Sequence, residues 1–216
     1  MIIRIIGLTA RNGGEETEVA FEICSDDGEH TSKERFLISS RQYLVLGLAK
    51  GDSDEQTYDT VSHASSVWTA VKRGVACLAY GSCSEKALKA KLASKGFDRS
   101  IAAEAVEEIC SKGLLCANDD AAREAEKMAA KLWGKKRISA GLYSKGYSDS
   151  AVAHALSYLV DIGVDYQANC ARLLKKRYGG VVDDKDEARK IFSALMRYGY
   201  TASEIKSAML SALEEI

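Results

Sequence analysis

Three short segments of this 216-residue chain resemble one another. They are KLASKGF at 91–97, GLYSKGY at 141–147 and ALMRYGY at 194–200, so their spacings are 50 and 53 residues. Each contains an apolar stretch, a basic or polar residue, a glycine and an aromatic residue. Self-similarity at such a period is typical of repeat proteins, in which stacked units bury faces that one unit leaves exposed. The sequence therefore predicts tandem repeats in an elongated, curved body.

The residues around these segments predict helices. An apolar pair four residues apart precedes each glycine, and a residue able to cap the next helix follows each aromatic. We expect each glycine to end a helix in the left-handed conformation. The chain has no proline, so nothing in it removes a helical N–H donor. The pairs and caps are Leu88 and Leu92 before Asp98, Ile138 and Leu142 before Ser148, and Ile191 and Leu195 before Thr201.

The predicted fold class is mostly α, with three tandem three-helix repeats similar in shape to helix-turn-helix units. A smaller domain at 1–60 precedes repeat 1 at 61–116, repeat 2 at 117–163 and repeat 3 at 164–216. The nine helices of the repeats are placed near 62–80, 84–95, 98–112, 119–133, 135–145, 148–162, 165–178, 184–198 and 201–214.

The domain at 1–60 has strand patterns instead of helical ones. Its first apolar run is rich in β-branched residues, and its second run alternates apolar and polar side chains. Glycine beside Asn or Asp marks the turns between runs. We expect a three-stranded β-meander with one short helix. The strands are placed at 2–8, 17–24 and 35–38, the turns at 12–14 and 26–28, and the helix from Ser39 or Ser40 to Leu48.

The charge of the chain is distributed unevenly. Residues 1–60 hold 6 basic and 12 acidic residues, a balance of −6, and residues 61–216 hold 24 and 19, a balance of +5, which together give the net −1. An acidic front and a basic body are compatible with a partner made of protein and nucleic acid.

Positive charge is concentrated in two segments of the basic part. Lys127, Lys131 and Lys135 recur every four residues, so a continuous helix would place them on one stripe. Dense cations neutralise phosphates and release counterions, which favours sequence-independent binding to DNA. The alternative is a solvated face without a binding role. The first segment contains Lys127, Lys131, Lys135, Lys136, Arg137 and Lys145, and the second contains Arg172, Lys175, Lys176 and Arg177.

Aromatic residues are interleaved with this positive charge. Aromatic rings can stack on exposed bases, but a tyrosine at a repeated position is more often part of a core. We interpret Phe97, Tyr147 and Tyr200 as core residues, while Trp133 could be a core or a contact residue. The interleaved set is Trp133, Tyr143, Tyr147, Tyr178, Tyr198 and Tyr200.

The sequence contains no motif for a metal, a cofactor or a nucleotide. Its six cysteines include no CxxC and its three histidines stand far apart, unlike zinc ligands. We expect buried, reduced thiols, a cytoplasmic location and no membrane-spanning helix. Asp183 and Asp184 are interpreted as loop and N-cap residues. A nucleophilic cysteine paired with His154 stays an alternative that no local motif supports.

The repeats resemble the bacterial RecX family, whose members modulate the RecA recombinase. The resemblance covers about residues 65–216, and the order and spacing of its motifs are more specific than any one motif. Lys135 stands where the family commonly has proline, and Gly141 where it tends to have glutamate. The matching motifs are Ser84-Glu85 with Lys95-Gly96-Phe97 and Gly113-Leu114-Leu115, then 134–138 with Lys145-Gly146, then 176–179 with 197–200.

The resemblance implies a non-catalytic inhibitor. Family members bind RecA filaments along the helical groove and suppress ATP hydrolysis and strand exchange, and some contact single- or double-stranded DNA. We expect a monomer; an autonomous sequence-independent DNA-binding module is the alternative. Arg137 could instead form a salt bridge between repeats. The resemblance assigns Lys135, Lys136, Arg137, Lys176, Arg177 and Arg197 to the binding surface, and charge alone adds Lys127, Lys131, Lys145, Arg172 and Lys175.

Overall fold

The computed structural model describes residues 2–25, 31–81, 83–179 and 184–214. Its N-terminal part is an antiparallel sheet with the strand order β3-β2-β1-β4. The predicted turn at 12–14 is confirmed as a short 3-10 turn, and the predicted turn at 26–28 lies outside the described residues. The strands are β1 (Ile2–Arg11), β2 (Glu16–Cys24), β3 (Thr31–Ser39) and β4 (Gly51–Ser53).

The three predicted strands are confirmed, and the sheet has a fourth that the sequence pattern does not predict. Strand β4 pairs with residues 3–5 of β1. The Nε of Arg4 donates to Oδ1 of Asp52 across this pair at 2.6 Å. Three residues are too few for a period of two to be visible, and the pairing joins distant parts of the chain. The predicted meander is therefore corrected to a four-stranded sheet.

A short helix, α1 (Ser40–Leu46), follows the third strand. Its start is a reciprocal cap, in which Gln42 N–H donates to Ser39 Oγ at 3.2 Å and Ser39 N–H donates to Gln42 Oε1 at 3.3 Å. The helix ends at Gly47, which has a φ of 58°. The core beneath the sheet contains Ile3, Ile5, Val19, Phe21, Ile38, Leu48, Val61 and Ala64.

Beyond the sheet, the described residues are helical, and every predicted helix is confirmed. The first begins seven residues before its prediction because Asp54 caps it, accepting a hydrogen bond from Thr57 N–H at 2.7 Å. It crosses the predicted boundary between residues 60 and 61. The helices are α2 (Glu55–Ala79), α3 (Glu85–Ser94), α4 (Arg99–Ser111), α5 (Ala117–Ala129), α6 (Lys135–Ser144), α7 (Asp149–Asp161), α8 (Tyr166–Tyr178), α9 (Lys185–Arg197) and α10 (Ala202–Glu214).

The three repeated glycines end helices in the same way. Gly96, Gly146 and Gly199 have φ values of 93°, 84° and 93°, as predicted. At each turn the N–H of the following aromatic residue donates to the carbonyl five residues earlier, over 3.2 to 3.3 Å. This equivalence supports the alignment of the segments, and the division into three repeats stays a prediction.

Two of the three predicted caps are confirmed. Ser148 Oγ accepts from Ala151 N–H at 3.3 Å, and Thr201 Oγ1 accepts from Glu204 N–H at 3.3 Å. Asp98 stands at the N-cap position of α4 but makes no side-chain cap hydrogen bond, so that part of the prediction is wrong.

The chain forms two compact units. The first comprises residues 1–81 and 88–114, and the second comprises 82–87 and 115–216. In the second unit Tyr147 and Tyr200 are buried, as predicted, whereas Phe97 of the first unit is only half-buried. The four-domain division is a prediction that these units do not test.

Candidate functional site

The first basic segment does not form a continuous stripe. Helix α5 ends at Ala129, and α6 begins at Lys135. Between them Leu132 adopts a left-handed φ of 57°, so the helical path is interrupted. The continuous helix that would place Lys127, Lys131 and Lys135 on one face is therefore not present.

Two lysines of this segment share one carboxylate, which is near Lys127 in the sequence but far from Lys145. Glu124 of α5 is nearly buried and binds Lys127 Nζ at 2.8 Å and also Lys145 Nζ at the end of α6. Burial acts to raise the pKa of Glu124, but hydrogen bonds and charge from both lysines outweigh it and hold the pKa below its usual value. Lys127 and Lys145 thus share one carboxylate within the chain, which offsets part of their positive charge.

Four predicted cations line one cleft of about 670 Å³ in the second unit. Lys131 lies in the α5–α6 connection, while Arg172, Lys176 and Arg177 extend from α8, and all four are exposed. This arrangement is the basic cleft. Its other lining residues are Ala130, Leu132, Trp133, Leu173 and Tyr198, and the predicted Lys175 and Arg197 are exposed without lining it.

Arg137 lies between two aromatic rings of this region. The central carbon of its guanidinium is 4.2 Å from the ring centroid of Trp133 and 4.8 Å from that of Tyr198. Both distances are within the range of a cation–π contact. The guanidinium has no carboxylate partner among the residues that the structure describes, so the predicted salt-bridge alternative is not observed. Trp133, half-buried and lining the cleft, is both a packing and a surface residue.

The start of α6 is held against the α9–α10 turn by two glycines. Gly134 N–H donates to the carbonyl of Tyr198 at 2.8 Å, and Lys136 N–H donates to that of Gly199 at 3.2 Å. A Cβ on Gly199 would lie 2.3 Å from the backbone nitrogen of Arg137, and one on Gly134 would lie 2.4 Å from the carbonyl carbon of Gly199. We call this contact the glycine joint.

A corresponding contact holds the start of α3 against the α6–α7 turn. Ser84 Oγ donates to the carbonyl of Lys145 at 2.6 Å and accepts from Ala87 N–H at 3.2 Å. A Cβ on Gly146 would meet only side-chain atoms, those of Lys86 and Ser84, at 3.1 Å. We call this contact the serine joint.

The first turn of α6 carries charge of the unfavourable sign. The N-terminus of a helix bears partial positive charge, yet Lys135, Lys136 and Arg137 occupy this turn without an acidic residue. Six other helices of the described chain have an acidic residue there. The cations at 175–177 lie instead in the last turn of α8, where the dipole favours them. A bound polyanion would relieve the repulsion at α6.

This chain resembles known proteins both in sequence and in fold. No family profile matches the chain. The regulatory protein RecX of Halorhodospira halophila (strain DSM 244 / SL1) is 29% identical over 129 residues, which are 59% of this chain and 78% of that protein. This chain is similar in sequence to a RecX regulatory protein. The resemblance predicted from the repeats is thereby confirmed.

Solved RecX structures share the fold. A crystal structure of a regulatory protein RecX matches with a TM-score of 0.71 and 20% identity, over 94% of this chain and 98% of that one. The RecX of Lactobacillus salivarius matches with a TM-score of 0.58 and 20% identity, over 70% of this chain and 98% of that one. At this identity the likeness describes the fold alone.

The RecX-like motifs of the second and third repeats meet in space. Gly134 and Arg137 of the second contact Tyr198 and Gly199 of the third. The guanidinium of Arg177 lies 5.1 Å from the Tyr198 ring on this same surface. Motifs about 40 to 60 residues apart in the sequence thus form one surface beside the basic cleft.

Two participants in this region are not assigned to the site by the sequence. Glu124 is separated from Lys145 by 21 residues, so only the packing of α5 against the end of α6 brings them together. In the sequence, Tyr198 is only one of several aromatic residues interleaved with the positive charge. Its position directly before the repeated Gly199, opposite the Lys145-Gly146 pair, is the signal that could have singled it out.

No alternative chemistry is visible in the parts of the chain that the structure describes. They contain no group of three or more metal-ligating side chains. Burial, and then the charge of Glu204, raises the pKa of Cys170 to about 12, so this thiol is a poor nucleophile. Cys170 is buried as predicted, but Cys116 is exposed and the other four cysteines are half-buried. Asp184 caps α9, as predicted, and Asp183 lies outside the described residues.

Among the helices of the described ranges, none is long and apolar enough to cross a bilayer.

Proposed function

We propose that the chain is a non-catalytic regulator that binds RecA filaments on DNA and inhibits their ATP hydrolysis and strand exchange. The observation that carries this proposal is the meeting of two RecX-like motifs beside the basic cleft. The relatives named above are called regulatory proteins, which supports a regulatory role. In this proposal the chain acts as a cytoplasmic monomer, without a metal or cofactor.

The cations of the cleft supply the attraction. A RecA filament on DNA is a polyanion, and Arg172, Lys176 and Arg177 present three exposed charges from α8. Lys135 and Lys136, in the first turn of α6, add charge whose cost to the helix a polyanion would remove. We assign Lys175 and Arg197 to the periphery of this surface, and Lys127 and Lys145 to the support of the fold through Glu124.

Inhibition of ATP turnover tests the proposal. Wild-type protein is added to its cognate RecA on single-stranded DNA, beside a variant with Arg172, Lys176 and Arg177 all changed to Gln. We expect the wild type to inhibit at a few-fold molar excess. The variant should need at least about tenfold more protein, because up to three ionic contacts are lost.

A control separates the cleft from net charge. A variant with Lys89 and Lys91 of α3, and Lys95 directly after it, changed to Gln removes the same charge from exposed positions in the first unit. It should inhibit like the wild type. No inhibition by the wild type would reject the proposal, and equal loss in both variants would reject the cleft as its site.

An autonomous DNA-binding module is the second candidate, favoured by the four exposed cations of the cleft. It predicts tight binding to DNA without RecA. Titration of single-stranded and duplex DNA at several salt concentrations should then show log K falling by roughly 0.7 to 0.9 per contact for each log unit of salt. Weak binding without RecA would disfavour this candidate and favour the filament.

A further inference from the structure

The basic cleft gathers like charges that the described residues do not neutralise. Lys131, Arg172, Lys176 and Arg177 line it, and none of them is ion-paired to a carboxylate in the described part of the chain. Like charges held close together repel, so something other than ion pairing must hold the two walls of the cleft in place.

An alternating stack of rings and guanidinium groups joins the two walls. It runs from Trp133 through Arg137 and Tyr198 to Arg177, with separations of 4.2, 4.8 and 5.1 Å between guanidinium carbon and ring centroid. Trp133 follows the wall that carries Lys131, and Arg177 belongs to the wall formed by α8. Arg137 is the central link of this stack.

Backbone contacts fix the position of the Arg137 main chain. In the glycine joint the nitrogen of Arg137 lies so close to Gly199 that even a methyl group does not fit between them. The hydrogen bonds from Gly134 and Lys136 to the carbonyls of the α9–α10 turn set the same distance. The guanidinium is therefore presented to both rings by a rigid contact and not by a flexible side chain alone.

From this geometry we infer that Arg137 is a positioning residue, which stacks on Trp133 and Tyr198 to hold Lys131 and the cations of α8 around one cleft, and does not itself bind the partner. The inference deepens the proposed function and rests on it for the identity of the partner. It differs from the assignment by resemblance, which counts Arg137 among the contact residues.

The inference requires a guanidinium specifically. A planar guanidinium can stack on two rings at once, whereas the ammonium of lysine is a compact, strongly hydrated charge that cannot. Arg137→Lys therefore keeps the charge and removes the stack. A contact residue that met the partner through charge alone would keep most of its effect in this variant.

Fluorescence tests the stack without any partner. Trp68 and Trp133 are the two tryptophans of the chain, so Trp68→Phe leaves Trp133 as the sole reporter. In this background Arg137→Lys and Tyr198→Leu should both shift the Trp133 emission to longer wavelength and increase its quenching by acrylamide. Arg172→Gln, which lines the cleft outside the stack, should change neither. Unchanged emission in Arg137→Lys would overturn the inference.

Inhibition of RecA by the same variants tests the positioning role. Arg137→Lys and Tyr198→Leu should each raise the protein needed for half-maximal inhibition by about tenfold, and the double variant should be no worse than either. Their dependence on salt should match the wild type, because no ionic contact is removed. Arg172→Gln should instead make the salt dependence shallower by roughly 0.7 to 0.9 per log unit.

The outcomes are distinguishable. Wild-type inhibition by Arg137→Lys, or a shallower salt dependence in Arg137→Gln than in Tyr198→Leu, would overturn the positioning role. If the wild type does not inhibit RecA, the proposed function fails, and the fluorescence result still decides whether the stack exists. Retained helical circular dichroism in each variant excludes unfolding as the cause, and Tyr198→Phe, which keeps an aromatic ring, should retain the Trp133 emission.

Discussion

The serine joint and the glycine joint occupy the same place in aligned segments but use different chemistry. In the serine joint, Ser84 binds the carbonyl of Lys145, and Glu124 neutralises the lysine side chain. In the glycine joint, backbone contacts backbone. Tyr198 occupies the position that aligns with Lys145, and its ring lies between Arg137 and Arg177. A carboxylate offsets part of the positive charge beside the serine joint, whereas the glycine joint brings two guanidinium groups against one ring. One local geometry can therefore carry different arrangements of charge at two aligned sites.

Alanine in place of Gly199 or Gly146 should give the largest difference between the two joints in the free energy of unfolding. Gly199→Ala combines a positive φ with a Cβ 2.3 Å from backbone, so we expect a loss of about 3–5 kcal/mol in the free energy of unfolding. Gly146→Ala also has a positive φ, but its neighbours are side-chain atoms that can move, so about 1–2 kcal/mol is expected. Urea denaturation followed by Trp133 fluorescence measures both, and equal losses would contradict the comparison.

Removing the Glu124 carboxylate, which lies beside the serine joint, should have an intermediate effect on the free energy of unfolding. Glu124→Gln loses two ion pairs at a nearly buried position, so we expect a loss of about 1–3 kcal/mol. Glu126→Gln, on the exposed side of the same helix, is the control and should change stability by less than about 0.5 kcal/mol. A neutral result at Glu124 would show that the pairs do not stabilise the joint.

The same carboxylate should make stability depend on pH. The pKa of Glu124 is lower in the folded protein than in the unfolded chain, so its contribution is complete above the unfolded value of about 4.3. The contribution is lost as pH falls through the lower folded pKa. Urea denaturation between about pH 6 and pH 3 should show the wild type converging on Glu124→Gln at the acidic end. A gap that stays constant over this range would contradict the assignment.

The smallest predicted effect is an increase in the free energy of unfolding, not a loss. Changing Lys135 and Lys136 to Glu replaces unfavourable charges in the first turn of α6, so stability should rise by about 0.3–1 kcal/mol for each change. Inhibition of RecA should weaken at the same time. The matched control changes Lys89 and Lys91 of α3 to Glu and should leave inhibition unchanged. A loss of stability in the α6 variant would show that these lysines are placed for the fold and not for a partner.

Local patterns predicted most of the helical part. Apolar pairs four residues apart, capping residues and the repeated glycines act within one or two turns of helix, so the sequence alone reveals them. Strand β4 and the early start of α2 were missed. The three residues of β4 take their structure from a distant strand, and the cap at Asp54 precedes the first clear apolar period.

The candidate site was predictable in composition but not in arrangement. Charge density identified Lys131 and the cations of α8, which do share one cleft. It also included Lys127 and Lys145, which share the Glu124 carboxylate. The pair with Lys127 lies within one helix, whereas the pair with Lys145 depends on packing that spacing does not encode. The stack on Arg137 depends on the close approach of two glycines from different segments, which only the three-dimensional structure reveals.

Helix α2 limits how the N-terminal part can be dissected. Its first half contributes Val61 and Ala64 to the core beneath the sheet, while Val71 and Gly74 of its second half are buried further along. A deletion of residues 1–60 would cut inside the helix, remove its cap at Asp54 and leave apolar side chains of its first half without cover. A shortened protein meant to test the helical part alone would then aggregate for reasons unrelated to its activity.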